Sequence, residues 1–276
     1  MKPAPFDYVR ADSADEVASL LKEHGQDARI LAGGQSLMAV LNIRLAQPKL
    51  LIDISRVAGL DYSRIAGNKL AIGAAATQGS VEWRKDLADE VPLLKLAFPW
   101  LAHFPIRNRG TVCGSIAHAD PSAELPLCLT LLQGEVVLRS AAGPRVLPAD
   151  DFFHGMLTTA LRPDEFIEEV RFPLRAAGAR YAFREVAMRH GDFALVALAV
   201  IISDEALELA VGGVADRPQR KRWPRITGDD LRAALNDFAW DLDAESDGHA
   251  SAAYRRHLVR ELGHQLLTQE HRRNDR

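Results

Sequence analysis

Cysteine is scarce in this sequence, and the two cysteines present form no recognised pattern. Cys113 and Cys128 make neither a CxxC pair nor a spacing typical of zinc or iron–sulfur ligands. The nine histidines show no metal-ligand spacing either. We therefore expect no metal in this chain, and any redox chemistry would depend on a bound cofactor. The low cysteine content favours a reducing compartment, so we predict a cytoplasmic protein.

The chain also lacks a strong charge of either sign and lacks a long hydrophobic run. It has 34 Lys and Arg against 37 Asp and Glu, so its net charge of −3 indicates no broad basic surface for nucleic acid. No stretch approaches the roughly 18 consecutive apolar residues of a membrane span, and the start lacks the apolar core of a signal peptide. With 47% hydrophobic residues, a sizeable core is expected. We predict neither a nucleic-acid partner nor a membrane span.

The order of predicted strands and helices changes along the chain. Residues 1–58 alternate short strands and helices, which predicts a small α/β unit. Residues 59–174 add apolar helices, a hairpin and a half-buried strand as a second such unit. Residues 175–276 begin with three strand candidates and continue with two helices, which predicts an antiparallel sheet with helices. The predicted fold class is α+β, with the basic stretch at 216–225 as a linker and a fraying tail at 268–276.

Two helices are predicted in the first of these units. Ser13 precedes Glu16 by three residues, which is a capping pattern, and apolar residues follow at helical spacing. LMAVLNIRLAQ (37–47) predicts a second helix that stops near Pro48. A proline disrupts a helix because it cannot donate the backbone hydrogen bond.

The stretch ILAGGQSL (30–37) leaves an apolar strand, passes through two glycines and enters an apolar helix. Glycines let the backbone approach a ligand, and their N–H groups can point at an anion such as phosphate. Gln35 and Ser36 add side-chain hydrogen bonds. A tight turn with Ser36 as the N-cap explains the same residues. The stretch is neither a Walker A loop nor GxGxxG, and it matches only the first half of GxSxG, so a serine hydrolase using Ser36 stays open.

A second stretch, RNRGTVCGSIAHADPSAELP (107–126), is also rich in small residues. Thr111 and Ser115 can donate to phosphate oxygens, and Glu124 is suited to accept hydrogen bonds from ribose hydroxyls. Local helix capping, for example by Asp120, is the alternative. Two such loops would bracket an extended ligand whose pyrophosphate and sugar suit them. A non-catalytic nucleotide-binding module also stays open.

Both stretches resemble the FAD-binding medium subunit of molybdenum hydroxylases of the carbon monoxide, nicotine and caffeine dehydrogenase type, and more distantly the FAD domain of xanthine dehydrogenase. The resemblance covers nearly the whole chain in order, through LTTALRPDEFIEEVRFP (157–173), FREVAMRHGDFALVALAV (183–200), AVGGVADRP (210–218) and HASAAYRRHLVRELGHQLL (249–267). It implies three subdomains, 1–58, 59–174 and 175–276. The first two would form a PCMH-type cleft that holds FAD.

The resemblance implies a set of FAD-binding residues in this chain. The first loop would wrap the pyrophosphate with Ile30, Leu31, Ala32, Gly33, Gly34, Gln35, Ser36 and Leu37. The same cleft would be lined by Thr111, Gly114 and Ser115, with His118 as a phosphate donor. The ribityl and adenosine portions would lie near Asp120 and Glu124, and the rings of the cofactor near Leu161 and Arg184.

The resemblance also implies the reaction and the partners. Substrate would be hydroxylated at molybdenum in a molybdopterin-binding large subunit. Electrons would pass through [2Fe–2S] clusters of a small subunit to FAD in this chain, and then to an external acceptor. The assembly would be a dimer of heterotrimers, and this chain would need no catalytic acid or base. A redox-active Cys113, as in a disulfide reductase, is the less favoured interpretation.

Overall fold

The computed structural model describes residues 2–268, and the chain divides into two compact units. The first unit comprises the described residues up to Val91 together with His103–Ala119 and Leu132–Leu174. The second comprises Pro92–Ala102, Asp120–Leu131 and the described residues from Arg175 onward. This division does not separate residues 1–58 from 59–174, so the three-subdomain organisation stays a prediction. The predicted fraying of the tail after Thr268 concerns residues outside the described part.

The N-terminal part of the first unit is a three-stranded parallel sheet with two helices. In chain order its elements are β1 (Asp7–Arg10), α1 (Ala14–His24), a 3-10 turn (Gly25–Asp27), β2 (Ala28–Leu31), α2 (Leu37–Asn42) and β3 (Leu50–Asp53). The strand order is β1-β3-β2, so the buried strand β3 is central. Asp53 pairs with Arg10 on one side and Leu31 on the other, so the carboxyl ends of all three strands are level.

Both helices predicted for this region are present, but the second is shorter than expected. The Ser13 hydroxyl oxygen accepts a hydrogen bond from the backbone N–H of Glu16, which confirms the predicted cap. Helix α2 ends at Asn42 rather than near Pro48. Arg44 adopts a φ of +58°, which lies outside the right-handed helical region and ends the helix.

The remainder of the chain up to Pro173 contributes a five-stranded antiparallel sheet and short helices. In chain order the elements are β4 (Ser63–Ala66), β5 (Lys69–Gly73), α3 (Gln78–Glu82), α4 (Leu87–Glu90), α5 (Pro92–Ala97), α6 (Phe104–Arg107), α7 (Val112–His118), α8 (Glu124–Leu131), β6 (Glu135–Ser140), β7 (Gly143–Pro148), α9 (Ala149–Phe152), β8 (Phe153–Gly155), β9 (Thr158–Thr159) and β10 (Phe166–Pro173). The strand order is β4-β5-β10-β6-β7, and β8 pairs with β9. The predicted hairpin, β6 with β7, is confirmed. Helices α5 and α8 belong to the second unit.

The C-terminal part is an antiparallel sheet with two helices, as predicted, but the sheet has four strands rather than three. Its elements are β11 (Arg180–Ala187), β12 (Ala194–Ile202), β13 (Ala206–Gly212), β14 (Gln219–Pro224), α10 (Gly228–Asp241) and α11 (Ala252–Thr268). The linker prediction for 216–225 was wrong, because β14 within it pairs with β13 along its whole length. Its Arg and Lys residues conceal the strand pattern, and such charges are typical of an edge strand.

Strand β12 of this sheet is buried along almost its whole length. Val196 and Leu198 belong to the apolar cluster that β12 forms with α10 and α11. A Cβ added to Gly212 on the neighbouring strand would contact the Leu127 side chain of α8, which packs against the same sheet. A sheet covered on both faces explains the unbroken apolar sequence of β12. Within residues 2–268, no helix has the length and apolar character needed to span a membrane.

Candidate functional site

A pocket of about 460 Å³ opens at the carboxyl ends of β2 and β3 in the first unit. Its lining residues are Leu31, Ala32, Gly33, Gly34, Gln35, Met38, Asp53, Ser55 and Arg109. They combine the first glycine stretch with residues from two other segments of the same unit. The volume falls in the range of about 300–1,000 Å³ that is usual for ligand sites. The position agrees with the general preference of ligands for the carboxyl ends of parallel strands.

Each of the two adjacent glycines is required by the chain for a different reason. A Cβ on Gly33 would lie 2.0 Å from the carbonyl oxygen of Arg109 and 2.7 Å from the Cα of Gly110. Gly34 has a φ of +71°, a left-handed conformation that other residues rarely adopt. The first glycine therefore permits a close approach of two backbone segments, and the second permits the turn. The start of the second stretch lies directly against the first stretch.

The polar residues of the first stretch, Gln35 and Ser36, are exposed and make few hydrogen bonds. The Gln35 amide nitrogen donates to the carbonyl oxygen of Gly33 at 3.0 Å. Ser36 occupies the N-cap position of α2, but its side chain makes no capping hydrogen bond. No histidine side chain of residues 2–268 is hydrogen-bonded to Ser36, as a nucleophilic serine would need. The geometry therefore favours neither the capping interpretation nor the hydrolase interpretation of Ser36.

The second stretch continues from this contact into helix α7. Thr111 is 4% exposed, and its hydroxyl oxygen accepts the N–H of Gly114 at 2.9 Å as the N-cap of α7. A Cβ on Gly114 would lie 2.7 Å from that oxygen, so a larger residue there would have to displace the Thr111 side chain. Ser115 and His118 lie further along α7 and are half-buried. The Thr111 oxygen is thus engaged within the loop, while its O–H remains available as a donor.

Asp120 and Glu124 lie in the second unit. The Asp120 carboxylate accepts the backbone N–H of Ser122 at 2.8 Å and so closes a local turn, rather than capping the next helix, which begins at Glu124. Glu124 is the first residue of α8 and is 8% exposed. Burial, and then the charge of Glu124, raise the pKa of Glu185 on β11 to about 8. The sequence analysis did not identify this buried pair of carboxyl groups.

The remaining two predicted site residues lie in different units. Leu161 is half-buried in the first unit, where its N–H donates to the Thr159 hydroxyl at 3.2 Å. Arg184 is exposed on β11 in the second unit, with its guanidinium carbon 5.9 Å from the centroid of the Trp100 ring. Trp100 also lies 6.4 Å from the Phe183 ring. The predicted contacts of Leu161 and Arg184 with cofactor rings stay predictions.

Four residues that line the pocket were missed by the sequence analysis: Met38, Asp53, Ser55 and Arg109. Tyr8 donates to one oxygen of the Asp53 carboxylate, and the N–H of Ser55 donates to the other at 2.8 Å. Burial raises the pKa of Asp53, but these hydrogen bonds outweigh it and hold the pKa below its ordinary value. Two signals could have found residues of this set: Asp53 is an acidic residue directly after the apolar run Leu50–Ile52, and Arg109 lies inside the second stretch.

Both cysteines are buried thiols. The Cys113 thiol donates to the carbonyl oxygen of Ile72 at 3.4 Å. Burial, and then the charge of Glu169, raise the pKa of Cys113, and burial raises that of Cys128 as well. A thiol that resists ionisation is a poor nucleophile, so the geometry does not favour a redox-active Cys113. Among residues 2–268 no group of three His, Cys, Asp or Glu side chains could hold a metal ion.

Comparison with known proteins gives matches over nearly the whole chain. Residues 4–175 match the family described as the FAD binding domain in molybdopterin dehydrogenase. The chain is 38% identical to the 6-hydroxypseudooxynicotine dehydrogenase complex subunit alpha of Paenarthrobacter nicotinovorans, over 97% of this chain and 95% of that protein. It is 36% identical to the caffeine dehydrogenase subunit beta of Pseudomonas sp. (strain CBB1), over 94% and 92% respectively. It superposes on quinoline 2-oxidoreductase from Pseudomonas putida 86 with a TM-score of 0.90 and 32% identity, over 97% of each chain.

These matches define an FAD-binding component of an oxidoreductase. The chain belongs to the family of FAD-binding domains of molybdopterin dehydrogenases, which confirms the resemblance found in the sequence. The pocket fits the polar part of FAD, because the backbone of Gly33 and Gly34 carries no side chains there and Arg109 adds a positive charge. The α+β fold class is likewise confirmed.

Proposed function

We propose that this chain is the electron-transfer flavoprotein subunit of a molybdenum-containing hydroxylase or dehydrogenase complex. Substrate is hydroxylated in a molybdopterin-binding large subunit, and electrons pass through [2Fe–2S] clusters of a small subunit to FAD in this chain. FAD then delivers them to an external acceptor. Relatives named as subunits of dehydrogenase complexes support this proposal. The observation that carries it is the likeness to such subunits over almost the full length of the chain.

The residues of this chain hold the cofactor and need not perform acid–base catalysis. When bound, FAD accepts single electrons and delivers them in pairs. The loop at 30–37 and the start of α7 enclose the pyrophosphate, through the predicted residues Ile30 to Leu37, Thr111, Gly114, Ser115 and His118. The predicted contacts with the other parts of the cofactor involve Asp120, Glu124, Leu161 and Arg184. The contact of Gly33 with the Arg109 backbone supports this arrangement, because it joins both stretches in one unit.

The assembly that we propose is a dimer of heterotrimers in the cytoplasm. Two buried, unpaired cysteines fit a reducing compartment. A serine hydrolase using Ser36 and a non-catalytic nucleotide-binding module are the competing functions. Within residues 2–268 Ser36 has no histidine partner, so the structure does not favour the hydrolase. The nucleotide-binding module would use the same pocket, and the redox activity of bound flavin separates it from the proposed function.

A visible absorption spectrum of the purified full chain, with and without added FAD, tests cofactor binding. We expect flavin bands, and we expect chromatography of the released cofactor to identify FAD. Reduction and reoxidation of the bound flavin would separate an electron-transfer subunit from a nucleotide-binding module. Esterase activity that survives removal of flavin and disappears in Ser36→Ala would instead support the hydrolase.

Co-purification with a tag on this chain tests the partners. We expect two further polypeptides, molybdenum, and the absorption of [2Fe–2S] clusters in the same fractions. Addition of a substrate to the complex should then reduce the flavin. A chain that purifies alone from its native cells and neither carries nor takes up FAD would contradict the proposed function.

A further inference from the structure

Two arginines lie two residues apart before helix α7, and the structure uses them differently. Arg107 forms a two-point ion pair with Glu82, with its Nε 2.7 Å from one carboxylate oxygen and its Nη2 3.2 Å from the other. Both side chains are about 10% exposed, at 11% and 10%. Arg109 is exposed and lines the pocket. In residues 2–268, no ion pair involves Arg109. Arg107 therefore holds the turn, whereas the Arg109 guanidinium is available to a ligand.

The backbone of Arg109 is held in place beside the glycine stretch. Its N–H donates to the carbonyl oxygen of Ile106 at 3.1 Å. Its own carbonyl group passes so close to Gly33 that a Cβ there would lie 2.0 Å from the oxygen. Because the backbone is anchored, the side chain starts from a defined point at the pocket. Less conformational entropy is then lost when the guanidinium binds a ligand.

The charges that line the pocket come from one acidic and one basic side chain, Asp53 and Arg109. The two are not paired with each other: Asp53 accepts hydrogen bonds from Tyr8 and from the N–H of Ser55. Its negative charge is therefore stabilised from the strand side. Arg109 supplies the positive charge of the lining. A guanidinium presents parallel N–H groups that match a phosphate at two points.

We propose that the Arg109 guanidinium binds the pyrophosphate of FAD and is a determinant of cofactor affinity. The proposal rests on the proposed function, since it requires FAD in this pocket. It adds a residue outside the set that the resemblance implies. It also assigns distinct roles to Arg107 and Arg109, which the sequence alone does not distinguish.

FAD titration of the full chain, or of its complex if the subunits co-purify, tests the proposal by flavin fluorescence. We expect Arg109→Gln to raise the Kd for FAD roughly tenfold or more, because a hydrogen-bonded charge pair is lost. Arg109→Lys should bind with intermediate affinity, since it keeps the charge but loses the two-point geometry. The Kd of Arg109→Gln should also depend less steeply on salt than that of the wild type.

Two control variants separate this role from a structural one. Arg64 is an exposed arginine on β4 that stacks over the Tyr62 ring at 4.5 Å, and Arg64→Gln should leave the Kd for FAD unchanged. Arg107→Gln should lower the thermal unfolding temperature of the FAD-free chain, because the ion pair with Glu82 would be lost. Arg109→Gln should leave that temperature unchanged. If Arg109→Gln lowered the unfolding temperature but left the Kd for FAD unchanged, the inference would be contradicted.

The outcomes distinguish this inference from the proposed function. If the wild type binds FAD and Arg109→Gln binds it equally well with the same salt dependence, the inference is wrong and the proposed function stands. If neither the isolated wild-type chain nor its complex binds FAD, both are wrong. A tenfold loss in Arg109→Gln with no loss in Arg64→Gln would establish the contact.

Discussion

The two stretches of small and polar residues, 30–37 and 107–126, differ in how the structure uses those residues. In the first stretch, Gly33 and Gly34 are required by the path of the backbone, and the polar residues after them, Gln35 and Ser36, are exposed. In the second, polar side chains are engaged locally, with Thr111 capping α7 and Asp120 forming a turn. The first stretch supplies most of the residues that line the pocket, whereas the second supplies Arg109.

The comparison shows that small residues alone do not identify a ligand contact. The close approach of Gly33 to the Arg109 backbone and the positive φ of Gly34 would be needed even without FAD. What indicates a binding site is the open pocket beside them and the charge of Arg109. The second stretch is also divided, because its residues up to Ala119 belong to the first unit and those from Asp120 onward to the second.

Gly33→Val should have the largest effect on the first stretch. The new side chain would collide with the Arg109 backbone, which cannot move without displacing the whole turn. We expect roughly 3 kcal/mol of lost stability, at the upper end for overpacking, together with loss of bound FAD. Thermal unfolding and the flavin content of the purified chain measure the two effects.

Gly248→Val is the matched control, because a Cβ there would meet nothing within 4 Å. It should change neither quantity. Full FAD content and unchanged stability in Gly33→Val would contradict the close approach that joins the two stretches.

Glu185→Gln examines the end of the second stretch, where Glu124 lies near Glu185. The folded-state pKa of Glu185, about 8, is above its ordinary value of 4.5. The folded protein therefore holds this proton more tightly than the unfolded chain, and the wild type loses stability as the pH rises from about 4.5 to 8. Glu185→Gln cannot lose a proton, so the difference in Tm between this variant and the wild type should change in favour of the variant as the pH rises through this window. We expect a change of at least a few degrees, since 1 kcal/mol corresponds to roughly 2–4 °C in a chain of this size.

Unfolding temperatures at pH 5 and pH 9 test this prediction. Glu261→Gln, which changes an exposed glutamate on α11, should show the same difference from the wild type at both pH values. If Glu185→Gln also showed a constant difference, the two carboxyl groups would not form a buried, interacting pair.

Thr111→Ala removes a helix cap in the second stretch. The Gly114 N–H would lose its acceptor, and we expect a loss of about 1 kcal/mol in the free energy of unfolding. Thr111→Ser should restore most of it, because serine provides the same oxygen. Chemical denaturation of the FAD-free chain measures both variants.

Ser36→Ala is the corresponding change in the first stretch and should have the smallest effect on stability. Ser36 makes no capping hydrogen bond, so the free energy of unfolding should stay within about 0.5 kcal/mol of the wild type. If Thr111→Ala and Ser36→Ala lowered the free energy of unfolding equally, the two stretches would not differ in how their polar side chains support the fold.

Local features of the fold were predictable because their physical causes lie close together in the sequence. Ser13 and Glu16 define the start of α1, and the unbroken apolar run of β12 indicates a strand covered on both faces. The early end of α2 and the strand β14 were missed, since Arg44 adopts a positive φ and β14 consists largely of charged residues. Neither feature has a signal in apolar spacing.

The sequence by itself determined the class of the protein, the expected cofactor FAD and the two stretches around which we place the site. Tertiary structure decided which residues share the pocket. Gly33 contacts the backbone of Arg109, and Asp53 lines the same pocket as both, although the three residues come from segments that are distant along the chain. The raised pKa of Glu185 likewise depends on the packing of α8 near β11. Spacing along a chain reports its neighbours in a helix or strand, but only packing determines which distant side chains share a low-dielectric site.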